Sequence, residues 1–395
     1  MSALTGIRVV DLTRVLAGPF CTLMLADMGA EVIKVESPGA GDPVRHQGAM
    51  KDGFSWYFAQ FNRNKKSITL DLRGEDGKAA LARLIETADV LVENYRPGVL
   101  ADMGFGPERL EALNPRLIVA SINGFGSTGP YVARPAFDFI AQAMSGFMSV
   151  TGEPDGPPMR AGPPMSDMIA GLYAAFGVVS ALVSRGGPGT GLGQTVESTL
   201  TGGMISMLAF MSAEYFATGN NPARTGNDHG IVAPYGLFTA SDGAVAVAPS
   251  TDVFVRRFLG AIGLESLMKE PRFATNADRM ANRAELNARI DAAMQGQPVD
   301  HWIEVINAAG CPCGRVMTLA DVFADPQVQA QDMELAVDHP GRGTIRMTGF
   351  PVKLGATPCT VVRPAPELGQ HTHEILSAAG LDDAEIARAA GSEPE

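Results

Sequence analysis

The chain of 395 residues is long enough for two or three domains of about 150 residues each. With 46% hydrophobic and 19% charged residues it has the material for a large core, which excludes a mainly disordered chain. A net charge of -12 gives no general attraction for nucleic acid, which is therefore not an expected partner, although a local basic pocket for an anionic ligand is compatible with it.

The cysteines and the chain start argue against a metal site and against export. Two cysteines flank one proline, which is not the Cys-x-x-Cys spacing of a redox motif, and no neighbouring His or Cys completes a zinc site. Residues 1–8 lack the basic segment and apolar run of a signal peptide. We therefore expect a soluble, cytoplasmic protein without a metal, whose cysteines are buried or partly buried free thiols: Cys21, Cys311, Cys313 and Cys359.

Strands and helices alternate along the first third of the chain. Pro19 suits the first position of a helix that ends at Gly29, and apolar spacing predicts a second helix over residues 77–88. Strands separated by such helices predict an α/β fold with an open, mostly parallel, Rossmann-like sheet that has helices on both faces. The predicted strands cover residues 7–11, 31–36, 67–72, 89–94 and 117–123.

The remainder of the chain divides at a change of composition. Residues 138–182 are predicted to be mostly helical around a loop at 151–164, and residues 218–234, rich in Gly, Asn and Pro, are typical of a linker or binding loop. Further predicted elements are a glycine-rich turn at 186–193, a strand at 194–197, a Met-rich helix at 198–216, a hairpin at 237–248, helices at 253–262, 283–294 and 300–309, and a strand at 344–348. We therefore predict three segments: a large α/β domain at 1–224, a small α+β domain at 225–325, and a return segment at 326–395 that completes the large domain.

Asp167 follows a proline turn and opens a long apolar helix predicted to extend to Val183. Glycines and polar residues interrupt this helix, so we interpret it as a packed core helix and expect no membrane partner. A helix N-terminus favours an anion, and we expect the carboxylate to be ionised at neutral pH and able to attack an acyl centre. The alternative is that Asp167, or Ser166 before it, is only a helix cap contributing about 1 kcal/mol.

Residues 124–129 match the dinucleotide-binding pattern G-x-G-x-x-G and follow a predicted strand. That fingerprint requires a helix that begins inside the motif, so that its N-terminus meets the pyrophosphate. Here Pro130 and a loop follow instead. We therefore do not expect NAD or FAD binding at this segment.

Three loops follow predicted strands at the edge of the sheet where open α/β folds bind ligands. They comprise residues 16–19, 94–98 and 124–137, and they carry Arg96 and Arg134. Together they are predicted to form one basic, partly aromatic crevice in an otherwise acidic protein. The alternative is that they are ordinary turns with solvated arginines.

From residue 4 to residue 376 the chain resembles the class III CoA-transferases, the CaiB/BaiF family, which includes formyl-CoA transferase and carnitine CoA-transferase. Several short motifs together carry the resemblance, and each alone would be weak. They cover residues 16–19 (LAGP), 26–36 (ADMGAEVIKVE), 62–67 (NRNKKS), 92–98 (VENYRPG) and 134–138 (RPAFD).

The resemblance implies that Asp167 is the catalytic residue and that two ring-like, two-domain subunits interlock as a homodimer. It implies no permanently bound cofactor, since the substrates are an acyl-CoA thioester and a small carboxylic acid. The family's CoA contacts map onto Leu16, Ala17, Leu70, Asp71, Leu72, Arg73, Asn94, Tyr95, Arg96, Arg134, Pro135, Ala136 and Phe137.

Two positions depart from the family pattern. Ser37 and Asp102 stand where formyl-CoA transferase carries arginines that help to hold CoA. The candidates that replace them are Arg45, Arg73 and Arg96. The family's glycine-rich flap is also not evident in residues 226–236.

The implied chemistry is CoA transfer through Asp167, first as a mixed anhydride and then as an aspartyl-CoA thioester, which splits one difficult exchange into easier steps. A CoA-ester racemase on the same fold is the first alternative, but the histidine that it needs for proton transfer falls at Phe137. A catalytically silent CoA-binding or assembly subunit is the second, and the presence of Asp167 argues against it. The acceptor acid is not specified, although dicarboxylates are common in the family and Arg134 or Arg224 is a candidate for a second carboxylate.

Overall fold

The computed structural model describes residues 2–187, 189 and 191–391. The chain forms two compact units. The first, here called the large unit, comprises Met1–Ser145, Ala161–Leu208 and Pro326–Glu395, and the second, the small unit, comprises Gly146–Arg160 and Ala209–Asp325. Residues 146–160 and 209–224 thus group with the small unit. The domain boundaries at 224 and 325 that the sequence predicts remain a prediction.

Six parallel strands form the central sheet of the large unit, in the order β5-β2-β1-β6-β7-β8. Small antiparallel sheets pair β3 with β4, β12 with β13, and β9 and β11 with β10. The strands are β1 (Arg8–Asp11), β2 (Glu31–Glu36), β3 (Met50–Lys51), β4 (Phe54–Ser55), β5 (Lys65–Thr69), β6 (Val90–Glu93), β7 (Ile118–Asn123), β8 (Thr195–Thr199), β9 (Gly236–Ala240), β10 (Gly243–Val247), β11 (Cys313–Arg315), β12 (Glu334–His339) and β13 (Gly343–Thr348).

Helices connect these strands and cover the sheet. They are α1 (Ala17–Asp27), α2 (Trp56–Asn62), α3 (Glu75–Glu86), α4 (Val99–Asp102), α5 (Pro107–Leu113), α6 (Asp138–Met144), α7 (Met165–Gly186), α8 (Leu200–Ser206), α9 (Phe210–Thr218), α10 (Asp252–Ala261), α11 (Asn276–Ala281), α12 (Arg283–Met294), α13 (Val299–Ala308), α14 (Leu319–Ala324), α15 (Pro326–Ala330), α16 (Thr372–Ala378) and α17 (Asp383–Ala389). The predicted α/β architecture with a parallel central sheet is confirmed.

The two faces of the sheet are buried in two separate cores. Val9 of β1 packs on the side of α1 and α7, whereas its neighbour Val10 packs on the side of α3, α5, α16 and α17. Adjacent residues of a strand point to opposite faces, so the continuous apolar run of β1 fits a strand that is buried on both sides.

Helices α1 and α7 pack closely because a glycine lies between them. A Cβ at Gly171 would stand 2.5 Å from the backbone oxygen of Ala17. By length and composition α7 could cross a membrane, with a mean hydropathy of 1.6, but 44% of its apolar window is buried in the protein. Its inner residues Ala170, Ala174 and Val178 lie in the core, as predicted for a packed helix.

Some predicted elements differ from the structure. The Met-rich helix predicted at 198–216 is two helices, α8 and α9, because Ala209 between them has a φ of 50° that no α-helix accommodates. The strand predicted at 67–72 is β5, Lys65–Thr69. The predicted turn at 186–193 contains Pro188 and Thr190, which lie outside the described residues.

The small unit has its own core. Phe238 and Val245 from its sheet pack with Phe258, Leu286 and Ile306 from α10, α12 and α13. Cys311 is buried in this core, Cys21 is buried in the large unit, and all four cysteines are free thiols, as predicted.

Candidate active site

A groove of about 210 Å³ lies at the carboxyl edge of the central sheet, within the large unit. Three loops line it: residues 14–17 after β1, residues 94–97 after β6, and residues 123–137 after β7. Asp167 lines the same groove. The structure therefore brings the three predicted loops and the predicted carboxylate together, as expected for a ligand site in an open α/β sheet.

Buried ionic groups shape the loop after β1. The Lys34 ammonium is fully buried, pairs with Asp42 at 2.9 Å, and donates a hydrogen bond to the Thr13 carbonyl at 2.8 Å. Asp42 in turn accepts hydrogen bonds from the backbone N–H of Val15, whose φ of 68° is uncommon for a β-branched residue. This network holds the backbone immediately before Leu16 in one conformation.

A second buried lysine fills the space beneath the same loop. Lys65 lies 3.2 Å from Asp11 and donates a hydrogen bond to the Pro19 carbonyl at 3.0 Å. Burial lowers its pKa to about 8, an effect that the negative charge of Asp11 partly opposes. Lys34 and Lys65 are therefore internal groups of the loop rather than groups that face a ligand.

Arginines and aromatic rings form the groove walls. The guanidinium of Arg14 lies 5.8 Å from the centre of the Tyr95 ring, and that of Arg134 lies 3.8 Å from the Tyr131 ring. Arg96 also lines the groove, and its side chain is exposed. The groove is thus a locally basic, partly aromatic surface in an acidic protein.

Asp167 lies in the first turn of α7, and Pro164 is the residue that precedes the helix. Neither Asp167 nor Ser166 caps the helix through its side chain, so the interpretation as a helix cap is wrong. Instead Asp138, from α6, accepts hydrogen bonds from the backbone N–H and the hydroxyl of Ser166, both at 2.9 Å. The carboxylate of Asp138 therefore satisfies the helix terminus and leaves Asp167 directed at the groove.

Burial, and to a smaller extent the negative charge of Asp138, together raise the pKa of Asp167 to about 7. At neutral pH Asp167 is therefore ionised in part, and not to the extent expected from the helix start alone. The helix terminus favours the anion, but desolvation and the neighbouring carboxylate outweigh it. A carboxyl group poised near neutrality in a groove is typical of a functional site.

The charge of Asp167 also acts on the phenol of Tyr57, from α2. Burial raises the pKa of Tyr57 to about 12, and the charges of Asp167 and Asp42 contribute to the rise. The phenol therefore stays protonated and available as a hydrogen-bond donor. Nothing in the sequence pattern around Tyr57 pointed to this position.

Not all of the predicted CoA contacts line the groove. Leu16, Ala17, residues 94–96 and residues 134–137 do. Residues 70–73 follow β5 at the outer edge of the sheet, with β2 between it and β1, and they are not among the lining residues. Leu70 is a core residue, so only the backbone and the side chains of its neighbours are open to a ligand there.

Arg45, Arg73 and Arg96 were the candidates to replace the family arginines missing at Ser37 and Asp102. They differ in whether their side chains are held by other residues or exposed. Arg45 is held by two hydrogen bonds to the buried Glu36 and lies over the Phe58 ring at 3.7 Å. Arg73 and Arg96 are exposed. Arg45 therefore belongs to the internal ionic network and does not replace a ligand-binding arginine.

The segment 124–129 is not a dinucleotide fingerprint. Gly126 and Gly129 adopt φ values of 101° and 88°, and turns continue to the start of α6 at Asp138. No helix begins within the motif, as predicted, so no helix terminus meets a pyrophosphate there.

A larger pocket of about 590 Å³ adjoins the groove. It shares Tyr95, Arg96, Pro97 and Asn123 with the groove and continues beneath α4 and α5. The candidate site is assigned to the smaller groove because Asp167 lines that one.

Residues 4–372 match the model of CoA-transferase family III. The chain belongs to this family. It is 41% identical over 367 residues to the acetyl-CoA:oxalate CoA-transferase of Acetobacter aceti, covering 92% of each chain. It is 38% identical to the succinate–glutarate CoA-transferase of Agrobacterium fabrum, covering 95% of each chain.

A solved family member has the same fold. The crystal structure of a CaiB/BaiF family protein from Brucella suis superposes with a TM-score of 0.85 at 38% sequence identity, covering 96% of this chain and 99% of the other. The predicted resemblance is therefore confirmed, and the protein is a family III acyl-CoA:carboxylate CoA-transferase.

The sequence prediction did not include Arg14, Asp138 or Tyr57 among the site residues. Arg14 lies two residues before the predicted loop at 16–19, and Asp138 directly follows Phe137, so proximity to the motifs was a usable signal for both. Tyr57 is about 110 residues from Asp167 in the chain, and only the tertiary structure reveals that the charge of Asp167 acts on it.

Proposed function

We propose that this CoA-transferase uses Asp167 as a nucleophile to move CoA from an acyl-CoA thioester to a carboxylic acid. One observation carries the proposal: a carboxyl group with a pKa of about 7 lines a basic groove built from loops at the carboxyl edge of the sheet. At neutral pH a large fraction of Asp167 is ionised and able to attack, while desolvation keeps the carboxylate reactive.

The proposed reaction proceeds in balanced steps. A carboxylate oxygen of Asp167 attacks the thioester carbonyl, the C–S bond breaks, and an aspartyl mixed anhydride and CoA thiolate result. The thiolate attacks the aspartyl carbonyl and expels the first acid as a carboxylate, which leaves an aspartyl-CoA thioester. The acceptor carboxylate then attacks that thioester and expels CoA thiolate, which gives a mixed anhydride of Asp167 with the acceptor. The thiolate attacks the acceptor carbonyl of this anhydride, so that the new acyl-CoA and the free carboxylate of Asp167 are released. No net proton is transferred, so Asp167 needs no general base.

Water must be kept from the anhydride. Asp167 is partly buried, and burial is the first cause of its raised pKa, so the protein already limits the access of water to this carboxyl group.

We propose that CoA lies along the groove loops. The residues that support this assignment by lining the groove are Leu16, Ala17, Asn94, Tyr95, Arg96, Arg134, Pro135, Ala136 and Phe137. Residues 70–73 are retained as contacts for a more distant part of CoA, with the exposed Arg73 as the charged member.

The acceptor is proposed to be a small dicarboxylic acid. The relatives from Acetobacter aceti and Agrobacterium fabrum are named for oxalate and for succinate and glutarate, and a relative from Chloroflexus aurantiacus at 40% identity is named for succinyl-CoA and D-citramalate. A second carboxylate on the acceptor matches the positive charge of Arg134, which lines the groove and forms no ion pair with a residue that the structure describes.

We also propose a cytoplasmic, interlocked homodimer, with residues 1–224 and 326–395 as the CoA-binding domain and 225–325 as the small domain. Large apolar side chains on α6 and α7 support a covered surface: Phe139 is 55% exposed, Phe176 70% and Val183 69% in the single chain. Sedimentation equilibrium tests the dimer, and a monomer at micromolar concentration contradicts it.

The decisive experiment combines substitution with trapping. We expect Asp167→Ala to lower the rate of transfer at least 1,000-fold while circular dichroism and the thermal midpoint stay close to wild type, because the nucleophile alone is lost. We expect hydroxylamine added during turnover with succinyl-CoA and oxalate or glutarate to convert Asp167 to a hydroxamate, detected by mass spectrometry. Glu304→Ala, at an exposed carboxylate on α13 of the small unit that does not line the groove, is the matched control.

Two results contradict the mechanism. Transfer near the wild-type rate in Asp167→Ala removes this side chain from the chemistry. An unmodified Asp167 during active turnover with hydroxylamine argues for direct attack of the acceptor on the thioester.

A further inference from the structure

Arg14 lines the groove, but neither the family-derived contacts nor the sequence motifs assign it a role. Its side chain is exposed, and its guanidinium lies 5.8 Å from the centre of the Tyr95 ring. In the described part of the chain, residues 2–187, 189 and 191–391, it makes no ion pair with a carboxylate. Its charge is therefore available to a ligand.

The backbone at Arg14 is fixed from both sides. Its N–H donates a hydrogen bond to the Asn94 side-chain oxygen at 3.0 Å, and its carbonyl accepts one from the Asn94 side-chain nitrogen at 2.8 Å. The next residue, Val15, is held with φ at 68° by Asp42, a conformation that is unfavourable for a β-branched residue and persists only where the surroundings enforce it. The backbone on both sides of the Arg14 side chain is therefore fixed beside the groove.

The surrounding charges select an anion. Arg14, Arg96 and Arg134 line one groove, and none of the three is neutralised by a carboxylate among the described ion pairs. In a protein with a net charge of -12 such a cluster forms a local positive surface that attracts an anionic ligand. Guanidinium groups bind phosphate oxygens through paired N–H donors, and CoA carries three phosphate groups at the end remote from its thiol.

We propose that Arg14 binds a phosphate group of the CoA substrate. Arg14 is a binding residue rather than a catalytic one, since the phosphates lie far along the CoA chain from the reacting thioester. The cation–π contact with Tyr95 and the fixed backbone reduce the conformational freedom that the side chain loses on binding. This inference rests on the proposed use of the groove by CoA.

The test compares substrates with and without phosphates. We expect Arg14→Gln to raise KM for succinyl-CoA about tenfold or more, because a charge-assisted hydrogen bond is lost, while kcat changes less than threefold. With succinyl-pantetheine, which has no phosphate, kcat/KM should differ from wild type by less than twofold. Arg14→Lys should restore part of the affinity for succinyl-CoA, because it keeps the charge but loses the paired donors. Arg109→Gln, at an exposed arginine on α5 outside the groove, is the matched control and should match wild type with both substrates.

Binding of free CoA provides a readout that does not depend on turnover. Calorimetry with CoA, dephospho-CoA and pantetheine should show that Arg14→Gln weakens the first about tenfold and leaves the third unchanged. The response to dephospho-CoA identifies the phosphate: loss of the Arg14 effect with this ligand assigns the 3′-phosphate, and retention of the effect assigns the diphosphate.

The inference is overturned if Arg14→Gln weakens pantetheine and CoA equally, since the residue then only supports the loop. It is also overturned if CoA binding is unchanged. An enzyme that binds CoA through Arg14 but transfers it to no acid contradicts the proposed function and leaves the inference standing.

Discussion

Asp167→Asn should stabilise the protein, and the gain should depend on pH. Burial and the charge of Asp138 raise the pKa of Asp167 from 3.8 to about 7 in the folded chain. Between these values the folded state holds a proton that the unfolded state has released, so stability falls as the pH rises through this window. Below pH 3.8 both states are protonated and the penalty is absent. Asparagine removes the ionisation and hence the penalty.

The interval of about three pKa units corresponds to about 4 kcal/mol when the pH exceeds 7. Because Asp167 is only partly buried in the single chain, solvent reduces this to about 3 kcal/mol. We therefore expect Asp167→Asn to raise the free energy of unfolding by about 3 kcal/mol at pH 8 and by less than about 1 kcal/mol at pH 4.5.

Urea unfolding followed by circular dichroism at pH 4.5, 6 and 8 measures this difference, with the protein concentration held constant because subunit association also contributes. Asp102→Asn, an exposed helical carboxylate, is the control and should change stability by less than about 0.5 kcal/mol at each pH. A gain from Asp167→Asn that is the same at pH 4.5 and pH 8, or a loss at pH 8, refutes the reasoning.

Three further outcomes are expected. Lys34→Met should lower the free energy of unfolding by about 3–5 kcal/mol, measured by urea titration, because it leaves Asp42 charged and fully buried without its lysine; a loss under 1 kcal/mol contradicts this. Gly171→Ala should destabilise by about 1–3 kcal/mol, although alanine favours a helix, because the added Cβ would stand 2.5 Å from the Ala17 oxygen; a gain in thermal midpoint contradicts that. In deuterated buffer, mass spectrometry should detect no deuterium at the α-carbon of a 2-methylacyl-CoA, because Phe137 cannot transfer a proton. Exchange of the α-hydrogen for deuterium as fast as CoA transfer would instead support the racemase alternative.

The sequence predicted the parallel sheet because each strand of the first half is a short apolar run bounded by a turn and followed by a helix. This signal is local, and local signals survive in a single sequence. The helix start after a proline turn made Asp167 a candidate, but the same pattern also fits a helix cap. The family resemblance was needed to select Asp167 as the key carboxyl group.

What the sequence did not predict depends on residues that are distant in the chain. The pKa of Asp167 is set by burial and by Asp138, and neither can be read from the helix start alone. Lys34 and Asp42 resemble ordinary surface charges in the sequence, yet they are fully buried because β2 is covered on both faces. The break at Ala209 was missed because residues 198–216 keep a helical composition across it.

The same carboxylate of Asp138 anchors the first turn of α7 and repels the charge of Asp167 from nearby. Reactivity and geometry at this position therefore cannot be adjusted separately. Neutralising Asp138 would lower the pKa of Asp167 and so shift the pH range of its ionisation toward acid. The same change would remove the hydrogen-bond acceptor of Ser166 and loosen the first turn of α7, which carries Asp167. A variant with a shifted optimum would need a second substitution that restores an uncharged acceptor for Ser166.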